Sequence, residues 1–383
     1  MANAQIDNLL ARVPQSANAL VIIDAAEAQK TPLAKAQGWE ARLEAANASR
    51  AMMLPPEADK IVVAAMLDPT SYFEPDWELG VVHLTETMSM RSIARAESGY
   101  VDKINGLDAA WTPSDAYFVS LDPHTLGIMS PANRQAVSRW AEFGERNQKV
   151  GLSGYLQSAA KLAGKQAPIV LAVDLKDSVQ PHQLRKSLDE SPLLKDKKDD
   201  VEKVAAVVSS IQGITLRIML AKSAKGELRI DFGQSVAPLA KNAKPLVLEA
   251  LDKFQAQLDE LDSWSVSLDG NSILMKGEFT DAGLRRVLSL LELPTTKFSS
   301  LKDAPEGPAT PDVVLKATKT YFSAVTSLVD ELEKTLKNNK RDTHISWMEK
   351  YAKKIDRLPI LNVDEEAVVF GACVAETFRG TAT

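Results

Sequence analysis

The chain is poor in the residues that most chemistry needs. In 383 residues it has a single cysteine, Cys373, and only four histidines, at 83, 124, 182 and 344. One cysteine excludes an internal disulfide and any Cys-x-x-Cys metal or redox motif. Cys373 lies in the apolar stretch Val368-Val-Phe-Gly-Ala-Cys-Val-Ala375. A free thiol in such a stretch is commonly buried as a small hydrophobe, and no cationic neighbour that would activate it can be assigned. The histidines are too far apart to form a local metal pair. P-loop, dinucleotide-binding, nucleophile-elbow and H-E-x-x-H patterns are all missing. Neither a metal nor a cofactor is therefore expected.

Long apolar runs are missing too. The strongest, Ala19–Ile23, Ile61–Leu67 and Ile169–Val173, are strand-sized, far short of the ~18–20 residues that span a bilayer. There is no excess of positive charge. Lysine and arginine number 45 against 51 aspartates and glutamates, a formal net charge of −6. A nucleic-acid binder needs a concentrated basic face to displace counterions, so that class is excluded. The densest charged run, Lys195-Asp-Lys-Lys-Asp-Asp200, carries both signs and reads as a solvated loop. Aromatic residues make up 6 %, and tryptophans 39, 77, 111, 140, 264 and 347 are scattered as core anchors. A stacking platform for single strands would interleave them with basic residues.

What the sequence does contain is an internal repeat. Val119-Ser-Leu-Asp-Pro-His-Thr-Leu-Gly-Ile-Met129 parallels Val266-Ser-Leu-Asp-Gly-Asn-Ser-Ile-Leu-Met-Lys276, and both read as strand, turn, strand. A tryptophan precedes each (Trp111, Trp264) and a helical pattern follows each, at 131–143 and 280–291. Upstream, Ala19–Asp24 parallels Ile169–Asp174, Lys60–Leu67 parallels Gly213–Leu220, and Glu78–Leu84 parallels Glu227–Gly233; with the hairpins, all the offsets lie between 147 and 153 residues. Each unit reads β-α-β-β-α-β-β-α. Short turns between neighbouring strands imply antiparallel pairing. The expected fold is therefore α+β, two tandem repeats with mostly antiparallel sheets, the helices covering one face. Strict alternation in Glu227-Leu-Arg-Ile-Asp-Phe232 predicts a half-exposed strand. Between third and fourth strands, a long helix is expected at Val236–Leu258 and a short one near Met90–Arg95.

Four segments are expected: a first repeat at 1–166, a second at 167–294, a linker at 295–311 and a helical tail at 312–383. The linker holds Pro305, Gly307, Pro308 and Pro311. In the tail, Val314, Tyr321, Val325, Leu328, Leu332 and Leu336 keep helical spacing. Further helices are predicted at Thr343–Ile355 and from Asp364.

The richest polar cluster is Met90–Gly99 followed by Tyr100-Val-Asp102. Arg91 and Arg95 stand four apart and so share one helical face. With Asp102, and with Arg134 in the next helix, they are the candidate ligand-binding residues. Paired guanidiniums could grip a carboxylate or phosphate; the competing reading is ion pairing with Glu97, Asp102 or a neighbouring element. His83, in a strand, reads as a structural histidine in preference to a catalytic base, and His124 as a solvated turn residue. No catalytic residue can be named.

The segments Leu9–Asp24, Ser92–Asp102, Gly127–Arg134 and Lys354–Asp364 resemble parts of an uncharacterised protein family of planctomycete-type bacteria. The resemblance spans most of the chain, tail included. It implies no activity, but it does imply an export signal at the head of many members. Ala2-Asn-Ala4 has the small-x-small form of a signal-peptidase site. The expected location is extracytoplasmic or periplasmic if a signal was removed, and otherwise cytoplasmic. Three functions stand open: a non-enzymatic soluble binding or scaffold protein whose partner is a protein, an envelope component or a small ligand; an enzyme of unfamiliar type with a site between the repeats; and a structural protein that oligomerises through its helical tail.

Overall fold

The computed structural model describes residues 2–39, 57–69, 73–97, 99–146, 149–164, 166–194, 198–253, 258–289, 311–338, 344–356, 358 and 363–380. The elements in chain order begin with α1 (Ala2–Leu10), β1 (Ala19–Asp24), α2 (Ala25–Gln29), α3 (Pro32–Ala36), β2 (Ala58–Asp68), β3 (Glu74–Leu84) and α4 (Met90–Ala96). They continue with β4 (Tyr100–Ile104), β5 (Leu107–Thr112), β6 (Ala116–Asp122), β7 (Thr125–Ser130), α5 (Arg134–Arg146) and α6 (Gly154–Ala160). Next come β8 (Ile169–Asp174), α7 (Pro181–Asp189), α8 (Lys198–Val208), β9 (Ile211–Leu220), β10 (Ala224–Phe232), α9 (Ala243–Lys253), β11 (Ser265–Asp269), β12 (Ser272–Phe279) and α10 (Asp281–Ser289). Helices α11 (Pro311–Asn338), α12 (His344–Asp356) and α13 (Glu365–Gly380) complete the chain.

The strands form one twelve-stranded sheet in the order β11-β12-β10-β9-β8-β1-β2-β3-β7-β6-β5-β4. Every pairing in it is antiparallel. At its centre β1 runs against β8, with Ile22 opposite Val170. Outward from that pair one arm reads β1-β2-β3-β7-β6 and the other β8-β9-β10-β12-β11. The first arm adds a hairpin, β5 and β4, which was not expected from the sequence. Trp111 lies inside that hairpin, half-buried and stacked on Tyr100 at 5.1 Å. Trp264 instead is buried, and glycines 226 and 277 leave room for its ring: a Cβ on either would meet it at 2.0 to 2.2 Å.

The helices do not all lie on one face, contrary to the expectation. Helices α2, α3, α4, α7, α8, α9 and α10 pack on the first face, through Ala28, Leu33, Ile93, Leu188, Val204, Val247 and Leu284. Helices α1, α5 and α6 pack on the second, through Ile6, Leu9, Val137, Trp140 and Leu156. The reason is visible in the strands. In β1 and β2 the apolar run is unbroken, so Leu20 and Ile22 point to the second face while Ile23 points to the first; such strands need cover on both sides. In β10 polar and apolar residues alternate, and burial alternates with them. One side of that strand can face water.

Two charged residues are buried where β1 meets β2. Asp24 and Lys60 are register partners, and Lys60 Nζ lies 2.6 Å from Asp24 Oδ1. Asp24 also caps α2 by accepting the Glu27 N–H at 3.0 Å. Its counterpart Asp174 accepts the Lys176 N–H at 3.0 Å. The aspartate that ends each central strand thus closes the following turn.

Two further expectations are revised, and a third lies outside the described residues. The helix expected at Val236–Leu258 is broken into a short 3-10 turn at Ala237–Leu239 and α9; Pro238 cannot donate to a continuous α-helical ladder. Cys373 is exposed on α13; its neighbour two residues on, Ala375, takes the buried position. The expected linker falls outside the described residues except Pro311, which opens α11. Helices α11, α12 and α13 close on a core of their own, with Tyr321, Val325, Leu328, Trp347, Tyr351 and Ile355 buried together.

Candidate functional site

The four candidate residues do not converge. Arg91 and Arg95 are exposed on α4, whose Met90, Ile93 and Ala94 are buried against the first face. Asp102 bonds to Tyr117, which belongs to the second face, and to Arg134 on α5. Sheet alternation therefore sets the sheet itself between the two pairs.

Asp102 and Arg134 do meet. Arg134 Nε donates to Asp102 Oδ2 at 2.7 Å and Nη2 to Oδ1 at 3.2 Å, a bidentate clasp. The hydrogen bond from Arg134, aided by the Lys103 N–H and Tyr117, outweighs partial burial and holds the Asp102 carboxyl below its usual range. Burial, with Tyr100 and Asp102 close by, pushes the Tyr117 phenol upward, so it stays neutral.

The clasp sits on the outer edge of the sheet. Asn105 (φ 52°) and Gly106 (φ 83°) form the two-residue turn between β4 and β5, so Ile104 and Leu107 are the closing hydrogen-bonded pair. Alternation then points the backbone groups of Val101 and Lys103 away from β5. At Lys103 both are occupied: its N–H donates to Asp102 Oδ1 at 2.7 Å, and its carbonyl accepts Arg134 Nη2 at 2.7 Å. Asp102 and Arg134 thus consume half of the free edge, as natural sheets commonly do. Their charges are spent on each other and on the backbone.

His83 takes a similar structural part. Its Nδ1 lies 2.6 Å from Asp59 Oδ1, and its ring stacks on His124 with centroids 6.2 Å apart. His124 in turn places Nδ1 3.0 Å from the Leu84 carbonyl. No group of three metal-ligating side chains is found among the described residues.

A different polar surface emerges on the second face, where α6 stops covering the sheet. Tyr155 of α6 lies over Gly213, the only residue type that fits there: a Cβ would meet the ring at 2.4 Å and the Val173 carbonyl at 2.5 Å. The Tyr155 hydroxyl reaches Thr215 Oγ1 and donates to Asp231 Oδ2, each at 3.1 Å. Burial, opposed by Thr215 and reinforced by Asp231, pushes its pKa upward. Beyond Tyr155 the face is mostly polar, with the half-buried Met219 and Leu274 as apolar members beside Lys225 and Arg229. Arg229 Nε donates to Asp231 Oδ1 at 2.8 Å and Nη2 to Ser272 Oγ at 2.7 Å, while Ser272 Oγ donates to Asp231 Oδ1 at 2.6 Å. One row along, Glu227 sits between Arg217 (3.2 Å) and Lys276 (2.7 Å). Burial raises the Glu227 pKa, but Lys276 and Arg217 together more than offset it and hold the carboxyl below its usual range.

The register aligns these residues in rows across the strands. Asp231 faces Ser272, which faces Asp269; Glu227 faces Arg217 on one side and Lys276 on the other. Lys225 and Glu278, both about 60 % exposed, extend the face at its rim. Positive and negative groups are interspersed on it. Local alternation in Glu227–Phe232 could have flagged the strand, but the partners from α6, β9 and β12 are distant in sequence.

The fold defines an α+β protein built on a single continuous antiparallel sheet, with the second face of one arm left open among the described residues. No family model matches the sequence, and no curated protein matches it. Among solved structures it is similar to TP0453, a Treponema protein. Crystal form I shows 11 % identity and a TM-score of 0.42, covering 77 % of this chain and 97 % of that one. Form III shows 10 % identity and a TM-score of 0.44, covering 73 % and 97 %. Form IV shows 9 % identity and a TM-score of 0.38, covering 74 % and 95 %.

Among the described residues no helix is long and apolar enough to cross a membrane.

Proposed function

We propose that the chain is a non-catalytic, extracytoplasmic binding protein that recognises a protein partner through the open second face of β9–β12. The two arms are read as a duplicated scaffold, one arm closed by helices on both sides and the other specialised to leave one side bare. The observation that carries the reading is the state of that face: Glu227, Arg229 and Asp231 are locked to neighbours along and across the strands, Asp231 and Arg229 through the buried Ser272, while remaining partly exposed. A surface whose side chains are already fixed loses little rotamer freedom when it is covered. Its mixed charge suits a partner of complementary polar pattern and does not suit a polyanion. Arg91 and Arg95 lie across the sheet from Asp102 and Arg134, so the four do not form a joint ligand site that would compete with this face.

The test is site-specific photo-crosslinking in the native cell fraction. A crosslinker replacing Lys225, at the rim of the face, is expected to capture one protein species, and the charge reversal Asp269→Lys is expected to abolish the capture. A crosslinker at Arg185 on α7, across the sheet, is the control. Equal capture from both positions, or none from Lys225, would overturn the proposal.

A further inference from the structure

The two ends of the sheet are treated differently, and the difference points to a second interaction surface. At the β4 end, Arg134 and Asp102 occupy the outward backbone groups of Lys103. At the β11 end Lys244 of α9 reaches only the carbonyls that precede the strand, those of Asp262 at 2.6 Å and Trp264 at 2.9 Å, and no described side chain is bonded to the outward backbone groups within β11 itself. Asp269 and Ser272 flank the two-residue turn Gly270-Asn271, with Gly270 at φ 59°, so they are the closing hydrogen-bonded pair. Ser267–Leu274 and Ser265–Lys276 are then the next hydrogen-bonded pairs. The N–H and carbonyl groups of Val266 and Leu268 point outward, and no described backbone group pairs with them. The strand Ser265-Val-Ser-Leu-Asp269 contains no lysine, proline or bulge, the usual devices that keep an edge single.

We infer that β11 is a self-pairing edge through which two copies of this chain join their sheets about a two-fold axis. The strand is self-complementary in one antiparallel register, centred on Ser267. In that register Val266 of each copy faces Leu268 of the other. These are the residues whose backbone groups point outward, so both form full hydrogen-bonded pairs. Ser267 faces its own copy, and Ser265 faces Asp269, so no like charges oppose each other. The side chains agree with the backbone. Val266 and Leu268 are half-buried at the fringe of the first-face core, and pairing completes their burial. Ser265, Ser267 and Asp269 are exposed on the opposite face, where they meet only polar groups. A contact of residue i with j and j with i is what a closed two-fold interface requires. It stands independently of the partner-binding reading above, and it sets the open polar faces of two copies side by side.

The experiment is sedimentation velocity on the full chain over a concentration series, in parallel with hydrogen exchange. The expected result is a reversible monomer–dimer equilibrium with a Kd of about 1–100 µM, in which the Val266 and Leu268 amides gain protection as concentration rises. Ser267→Lys places two lysines across the two-fold axis and is expected to weaken the dimer by at least about tenfold. Val266→Pro removes an outward N–H, a position where an edge strand tolerates proline, and is expected to do the same. Mixing the Ser267→Lys chain with a Ser267→Asp chain is expected to restore a heterodimer. A chain that stays monomeric throughout overturns the inference, whether or not a strand of another protein binds there. So does a dimer that survives both substitutions, which would place the interface elsewhere, such as on α11–α13. If either variant fails to fold, concentration-independent exchange at Val266 and Leu268 in the unmodified chain is itself the refuting result.

Discussion

Lys60→Met is the most direct probe of how the centre of the sheet is held. The substitution keeps most of the stem volume and removes only the ammonium group. It leaves the Asp24 carboxylate 1 % exposed, with the Glu27 N–H as its remaining donor. Breaking a buried ion pair by removing one partner costs about 3–5 kcal/mol, because the charge left behind stays desolvated. At an m-value of about 3 kcal/mol per molar urea, that lowers the unfolding midpoint by roughly 1–1.7 M. Converting Asp24 to leucine as well removes the orphaned charge and returns most of the loss. The double variant still lacks the cap of α2, a deficit of about 1 kcal/mol. It should therefore be more stable than Lys60→Met alone, with a coupling energy of at least about 2 kcal/mol in the double-mutant cycle. Because α11–α13 have a core of their own, the readout should be hydrogen exchange of the β1 and β2 amides under increasing denaturant. A cost below about 1 kcal/mol for Lys60→Met, or strict additivity of the two changes, would show that the pair is not buried against each other as described.

Other outcomes follow from the same geometry. Gly213→Ala forces the Tyr155 ring or the β8 backbone to move and should destabilise the sheet by about 1–3 kcal/mol, measured by thermal unfolding. Tyr155→Phe in the same background should recover none of this, since the clash is with the ring and with the Val173 carbonyl. Glu227→Gln tests the pH dependence of the open face. The folded carboxyl titrates below its unfolded value, so its contribution is fully present above the unfolded pKa of about 4.3 and is lost as pH falls through the folded one. The variant should be less stable at neutral pH and lose less between about pH 5 and pH 3; parallel acid-unfolding curves would refute this. Asp102→Ala frees the Lys103 N–H and removes the anchor that holds Arg134 over its carbonyl, so the β4 edge should aggregate faster. Light scattering at elevated temperature reads this, and an unchanged rate would show that the clasp does not guard the edge.

The strands were legible because each carries its own pattern. The unbroken apolar runs at Ala19–Ile23 and Ile61–Leu67 already say that both sides must be covered, while the alternation at Glu227–Phe232 says that one side can stay wet. The hairpins at 119–129 and 266–276 announced their turns through Pro123-His124 and Gly270-Asn271. The β4–β5 hairpin was harder to see, because Tyr100–Thr112 is short and mixed in character.

The candidate residues were less legible. Arg91 and Arg95 looked like partners of Asp102 because they are near it in sequence. A strand change between residues 96 and 102 sends the two groups to opposite sides of a sheet, and no local spacing records that. Cys373 was misplaced for a related reason: α13 is apolar on most sides, and only its packing on α11 and α12 decides which residue turns inward.

The sequence by itself determined the α+β class, the antiparallel hairpins, the helical tail and the alternation that leaves β10 half open, all of which rest on contacts within a few residues or on side-chain period. Only the tertiary structure decided that β1 and β8 fuse the strands into one sheet, that the cover given by α6 ends with Tyr155, and that, among the described residues, the outward groups of Lys103 at one edge are clasped while those of Val266 and Leu268 at the other are not. Those depend on hydrogen bonds and packing between residues 30 to more than 100 positions apart, where one-dimensional pattern carries no register.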